Sequence, residues 1–176
     1  MKLTQLSFIL IALAVYEPRS GYALRRAFVE TPLGRYSSSP GSIYPALRKL
    51  TDGGFLSKED DLSAPYEPTK AGLDALEEWL ALPIEREDVE RDLDTLLLRY
   101  SLLGLARDSK LTVRFLKQFL SEVTAHLASL KAFAASEQGR AMPFHSRSAL
   151  NAGTRTYEAK AQWAEHALRE AEALFP

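Results

Sequence analysis

The chain has 176 residues, room for one generous domain or two small ones, and its 46% hydrophobic content suits a packed core rather than disorder. Lysine and arginine number 22 against 23 aspartate and glutamate, so global charge points to no nucleic acid, membrane or acidic substrate and any such signal must be local. Cysteine is absent, which excludes disulfides, thiolate catalysis and thiolate metal sites and suits a reducing compartment.

Lys2 and the apolar run Leu6 to Val15 have the outline of a signal peptide, but cleavage after Ala14 would leave a very short one. No apolar run approaches the ~20 residues of a membrane span. The expectation is a first helix enclosed in a folded domain, with Leu3, Leu6, Leu10 and Leu13 at helical spacing and no membrane partner. It should end near Glu17-Pro18. Ser20 can cap a second helix to about Val29, with Leu24, Ala27 and Phe28 inward and Arg25 and Arg26 outward. Thr31-Pro32-Leu33-Gly34 breaks it.

A third helix follows from Ser39-Pro40, where serine offers a cap and proline a first-turn residue. Pro45 removes a hydrogen bond and disfavours helical geometry at Tyr44, so an irregular first turn should precede a regular stretch from about Pro45 to Asp52. Ile43, Leu47 and Leu50 then face the core, with Ser42, Arg48 and Lys49 outward, and Gly53-Gly54 stops the helix. Phe55 to Lys58 and Tyr66-Glu67 read as short strands joined by a turn-rich stretch, Glu59 to Pro65. Thr69 can cap a fourth helix presenting Leu73, Leu76 and Leu80 and ending before Pro83. Helix, helix, helix, hairpin, helix is the order of a winged helix-turn-helix.

Beyond it, Val89, Leu93, Leu96, Tyr100 and Leu103 alternate in steps of four and three, predicting a helix over 88–104. Val113 to Ala134 repeats the pattern. Ser136 to Ser148, with Gly139 and Pro143, reads as a connection, and a last helix over 150–175 places Tyr157, Ala161, Ala164, Leu168 and Ala171 on one stripe. The expected architecture is mainly α: residues 1–82 a winged helix-turn-helix DNA-binding domain with a small two-stranded wing, residues 83–176 a helical dimerisation domain. Leu93, Leu96, Tyr100, Tyr157, Ala161, Ala164, Leu168 and Ala171 are the candidate homodimer contacts.

The local charge is informative where the global one is not. From Arg19 to Lys49 there are six basic residues (Arg19, Arg25, Arg26, Arg35, Arg48, Lys49) and one acid, Glu30. Phosphate neutralisation supplies most sequence-independent DNA affinity, and Tyr36, the Ser37 to Ser39 run and Ser42 add small hydroxyl donors. The competing reading is a solvated basic face beside a serine-rich loop.

The run Ser39-Pro40-Gly41-Ser42-Ile43-Tyr44-Pro45-Ala46-Leu47-Arg48-Lys49-Leu50 resembles the recognition-helix signature of the PadR family of bacterial transcriptional regulators. The opening leucine-rich helix, Ser20-Gly21-Tyr22-Ala23-Leu24 and Tyr66-Glu67-Pro68-Thr69-Lys70-Ala71-Gly72 are similar in order and spacing. The resemblance covers residues 3 to 80 strongly, and residues 88 to 175 are similar to the longer helical C-terminal domain of one subgroup. It implies a cytoplasmic homodimer on a palindromic operator in double-stranded DNA, usually a repressor, often released by a small effector. The third helix would lie in the major groove and the wing tip in the adjacent minor groove. Carried over by position, Ser42, Tyr44, Arg48 and Lys49 are the groove and phosphate contacts, supported by Arg35, Ser38, Ser39 and Lys58, with Arg25 and Arg26 as backbone contacts. The wing departs from the family pattern: Glu59-Asp60-Asp61 places three acids where basic residues are common, which phosphate would repel.

Catalysis is not expected. Glu122 with His126 and His166 with Glu170 are four apart, but two residues make no metal site, and no phosphate loop, nucleophile elbow or His-Glu-x-x-His motif is present. No cofactor or metal is expected. The alternative to a DNA reader is a winged helix acting through its long helices on a protein partner. Phe119, Phe133, Tyr157 and Trp163 are candidates for lining an effector pocket, against the plainer reading of aromatic core.

Overall fold

Helix α1 (Gln5–Tyr16) begins at a reciprocal cap: Ser7 N–H donates to Thr4 Oγ1 (3.3 Å) and Thr4 N–H to Ser7 Oγ (3.2 Å). Ile9, Leu10, Ile11, Ala12 and Ala14 are all buried, as expected of a helix apolar around most of its circumference. Each large one contributes about 1.5–3 kcal/mol relative to exposure. Pro18 pushes Glu17 into extended geometry and ends the helix. Ser20 accepts from Ala23 N–H to start α2 (Gly21–Glu30), which buries Leu24, Ala27 and Phe28. A 3-10 turn, Pro32–Tyr36, follows.

The structure, a computed structural model, describes residues 2–36, 40–61 and 63–175. Ser38 and Ser39, both candidate DNA contacts, lie outside the described residues, as does Ser37 of the hydroxyl run. The irregular first turn that Pro45 leads one to expect is a 3-10 turn, Pro40–Ser42, and α3 (Ile43–Asp52) starts two residues before Pro45. Pro45 is its third residue, where the missing N–H would have had no intrahelical acceptor. Ile43, Leu47 and Leu50 are fully enclosed. The helix ends in paired reverse hydrogen bonds, Phe55 N–H to Leu50 C=O (2.9 Å) and Gly54 N–H to Thr51 C=O (3.0 Å). Gly54 stands at φ +74°, a conformation side chains rarely adopt.

The wing is β1 (Leu56–Ser57) antiparallel to β2 (Glu67–Pro68), in register Leu56↔Pro68, extended by a bridge from Tyr66 to Arg19. Thr69 caps α4 (Lys70–Leu80) through Gly72 N–H (3.1 Å) and donates its hydroxyl to Gly54 C=O (2.6 Å). A Cβ on Gly72 would lie 2.1 Å from Phe55 C=O, so the helix approaches the wing as only glycine permits. Phe8 and Trp79 stack at 4.7 Å, fastening α1 to α4.

Two compact units emerge: Met1–Ala81 with Leu105–Arg107, and Leu82–Gly104 with Asp108–Pro176. In the second, the helix anticipated over 88–104 is two, α5 (Arg86–Arg91) and α6 (Leu93–Leu102). Asp92 separates them because its carboxylate caps α6, accepting from Thr95 N–H (3.3 Å) and Thr95 Oγ1 (2.6 Å). The long pair α7 (Lys110–Ala135) and α9 (Phe144–Leu174) packs most extensively. The stretch read as a connection contains α8 (Glu137–Ala141), and α9 begins at Phe144 because Pro143 is tolerated at its N-cap position. The fold is mainly α with one two-stranded sheet. Among the described residues no helix is long and apolar enough to cross a membrane.

Candidate nucleic-acid interface

The residues that α3 does not bury form its outward face. Tyr44, Arg48 and Lys49 are exposed, Tyr44 and Arg48 one turn apart on a helix whose opposite side is locked by Ile43, Leu47 and Leu50. Neither cation makes an ion pair among the described residues, although Asp52 stands four residues after Arg48. Ser42 sits half-buried at the N-cap position without a side-chain capping bond.

The other basic candidates differ. Arg26 is committed to Glu30, with Nε–Oε1 2.8 Å and Nη2–Oε2 2.9 Å, a pairing that holds its guanidinium above the ordinary value. Its neighbour Arg25 is half-buried. Arg19 pairs with Glu17 at 3.2 Å, and the Arg35 guanidinium lies 5.6 Å from the Tyr36 ring centroid. Lys58 is half-buried, its ammonium 5.6 Å from the Tyr66 ring centroid. At the tip, Asp61 accepts from Ser63 N–H (3.0 Å) and Ser63 Oγ (2.7 Å), and the hydroxyl bond foremost holds its carboxyl below the ordinary value. Glu59 and Asp60 are exposed.

Residues 9–78 match the model of the transcriptional regulator PadR-like family. That match spans most of the N-terminal unit. No curated protein matches the chain. Among solved structures, the PadR-like regulator BC1756 from Bacillus cereus is similar at 26% identity, covering 96% of this chain and 98% of that one, with a TM-score of 0.41. Bacillus subtilis PadR in complex with operator DNA is 22% identical over 97% and 99% of the chains, TM-score 0.43. The Vibrio cholerae virulence activator AphA is 20% identical over 96% and 99%, TM-score 0.42.

Outside the PadR-like domain, several expected dimer contacts are enclosed within one chain. Leu96 and Ala164 are 2% and 0% exposed, and Ala161 and Ala171 are buried, so one chain by itself already encloses these four. The small alanines let α9 approach α7. Leu93, Tyr100, Tyr157 and Leu168 are half-buried, and the Tyr157 hydroxyl donates to Val89 C=O (3.1 Å). Leu168 lines an open groove of about 540 Å³ with Leu120, Thr124, Ala125 and Ala128.

The four aromatic residues expected around an effector do not converge. Phe119 is fully enclosed and meets Trp163 edge-on at 5.6 Å, and Tyr100 meets the same indole at 5.0 Å, a filled core. Tyr157 faces His126, centroids 4.5 Å apart, while Phe133 is exposed about 21 Å beyond Phe119 along α7 by helical rise. A groove of about 580 Å³ opens elsewhere, lined by Lys131, Phe144, Arg147, Leu150, Asn151 and Thr154. His126 bonds through Nδ1 to Glu90 (3.2 Å) rather than to Glu122, whereas His166 does pair with Glu170 (3.3 Å). Sequence reasoning missed Arg99, 5% exposed, which donates from Nη2 to Leu82 C=O (2.6 Å) and lies 5.3 Å from the Phe115 ring centroid. Its Nε is unpaired, and burial lowers its basicity.

Proposed function

We propose that this protein is a sequence-specific repressor that occupies a palindromic operator as a homodimer in the cytoplasm, with residues 1–82 reading DNA and residues 83–176 joining the two copies. The observation that carries it is the outward face of α3: two exposed cations without carboxylate partners among the described residues, beside an exposed tyrosine, on a helix fixed by its buried side. Such a face can enter a major groove with Arg48 and Lys49 toward base edges and phosphates and Tyr44 and Ser42 as hydroxyl donors. Arg25 and Arg35 supply further positive charge, Arg26 less because Glu30 neutralises it. Ser38 and Ser39 remain candidates as phosphate donors.

Dimerisation is supported by apolar surface that one chain leaves open: the groove at Leu168 and Leu120, and exposed Phe133, Phe144 and Leu174. Two half-sites require two reading heads. Release by a small effector belongs to the same reading, and the groove at Phe144 and Arg147, with apolar walls and basic groups, is the place for it.

The test is capture of bound genomic fragments followed by titration of the recovered site and a random duplex with the wild type and Arg48→Ala. A palindromic site with weaker and less discriminating binding by the variant is expected. Absence of salt-dependent binding to any duplex would overturn the reading in favour of a protein-binding module.

A further inference from the structure

Tyr66 is assigned no role by the reasoning so far, yet three elements converge on it. Its backbone N–H donates to Arg19 C=O (2.8 Å), which ties the second wing strand to the segment before α2. Its ring lies on Gly21, the first residue of α2: a Cβ there would stand 3.4 Å from the Tyr66 ring and 3.0 Å from the ring of Tyr44 on α3. The absent side chain at Gly21 is therefore what lets the two phenols lie together. Lys58, from the end of the first wing strand, folds back over the Tyr66 ring. Burial raises the Tyr66 phenol first, with Tyr44 adding to the rise and Arg48 opposing it, so the exposed face of α3 is electrostatically in touch with this ring. The tip points to the opposite conclusion about itself: Asp61 is turned onto Ser63, and Glu59 and Asp60 carry only negative charge.

We infer that the wing engages DNA from its base rather than its tip, with the Tyr66 hydroxyl and the Lys58 ammonium gripping a backbone phosphate beside the groove entered by α3. The Tyr66 ring is also the positioning element for Lys58, because it holds the ammonium at the wing base although Asp61 at the tip also attracts it. Lys58, Tyr66, Tyr44 and Arg48 then form one strip, two adjacent hydroxyls flanked by cations, which is the composition that phosphate oxygens recruit. This rests on the DNA-binding reading of α3.

The experiment uses the full chain and two duplexes, the captured operator and a random sequence, each titrated across a range of salt. Tyr66→Phe keeps the ring and removes the hydroxyl, so it should weaken both duplexes about equally, by about tenfold. Lys58→Ala should lower the slope of log affinity against log salt by roughly 0.9, the value of one phosphate contact. Tyr66→Leu should lose the hydroxyl contact and also lower that salt slope although Lys58 is intact, because the ring that holds the ammonium is gone. Replacing Glu59 and Asp60 with serine should leave operator affinity and salt slope largely as they are. If Arg48→Ala weakens binding while Tyr66→Phe and Lys58→Ala change neither affinity nor slope, the wing-base contact is overturned and the role of α3 stands. If Arg48→Ala is equally silent, the DNA reading itself fails.

Discussion

The two units leave different chemistry unspent on their surfaces. In the C-terminal unit several cations are matched by acids: Arg86 with Glu90 at 2.8 Å, Arg91 with Glu87 at 2.6 Å, Lys117 with Glu172 at 2.9 Å and Lys131 with Glu158 at 2.7 Å. What it leaves open is apolar, notably Phe144 and Leu174 at 69% and 71% exposed. In the N-terminal unit α3 reverses this, burying every large apolar side chain it has except Tyr44 and leaving Arg48 and Lys49 without carboxylate partners among the described residues. Exposed ion pairs contribute only about 0–1 kcal/mol each, so self-pairing adds little stability but removes charge from what the surface offers a partner. On the proposed function, the α3 face is the one that would meet a polyanion and the open apolar surface of the C-terminal unit the one that would meet a further apolar surface.

The strongest way to break this contrast is to make α3 resemble α5. Tyr44→Glu sets a carboxylate four residues before Arg48, the favourable order for an intrahelical pair, and adds negative charge toward phosphate. Binding to operator and random duplex, followed by fluorescence anisotropy, should fall by more than the ~1–3 kcal/mol expected for Arg48→Ala. Unchanged binding would mean that α3 does not face DNA. The counterpart in the other unit is Leu168→Asp, which places a charge in the open apolar groove. Sedimentation should show monomers that remain helical by circular dichroism, a cost of about 1–3 kcal/mol to association. A dimer as tight as the wild type would remove that groove from the interface.

Arg99 is the exception that sharpens the contrast, a cation with no ion pair among the described residues that is enclosed instead of offered. Arg99→Ala should lower thermal stability by about 2–4 kcal/mol through lost packing and the freed Leu82 carbonyl, while DNA affinity per folded molecule stays constant. Arg99→Met, which keeps the stem volume and removes the buried charge, should cost less. Smaller still, Asp60→Asn should change random-duplex binding by about 0.5 kcal/mol or less even at low salt, because the tip stands away from the duplex. The smallest effect concerns Glu90, whose carboxyl is held below its ordinary value first by Arg86 and then by His126. A carboxylate with a depressed folded-state pKa stabilises above its unfolded value and loses that contribution as pH falls through the folded one. The tie between α5 and α7 should therefore persist at neutral pH and weaken only below the ordinary carboxylate range, seen as loss of the Glu90 and His126 contact in an NMR titration.

The winged unit was legible because its signals are local: Ser20, Thr69 and Gly53-Gly54 act within a few residues, and the caps and stop they announce are there. Pro45 marked the irregular turn but was read as delaying the helix, since spacing alone does not tell which position of the first turn it occupies. The long helices were less legible for a related reason. A four-three apolar alternation runs straight through Asp92, whereas a short side chain that caps its own backbone can interrupt a helix without disturbing the alternation. That periodicity also cannot say whether a stripe is used within one chain or between two, and for Ala161, Ala164 and Ala171 the chain uses it itself. Arg99, between Leu96 and Tyr100, carries no local signal of burial, because the Leu82 carbonyl and Phe115 ring that hold it come from elsewhere in the chain. Tyr66 was seen as part of a motif, but its neighbours Gly21, Tyr44 and Lys58 are brought to it only by the fold.

The wing's strands are only two residues each, so its shape is set by its fastenings: Thr69 to Gly54, Gly72 beneath Phe55, and Tyr66 to Arg19. All three lie outside the stretch from Glu59 to Pro65, so apart from the buried Ala64 its described residues are open to exchange. Natural drift or engineering can rewrite it, lengthen it or reverse its charge while the helix core folds as before. The residence time of such a regulator on DNA can then evolve separately from the sequence it selects.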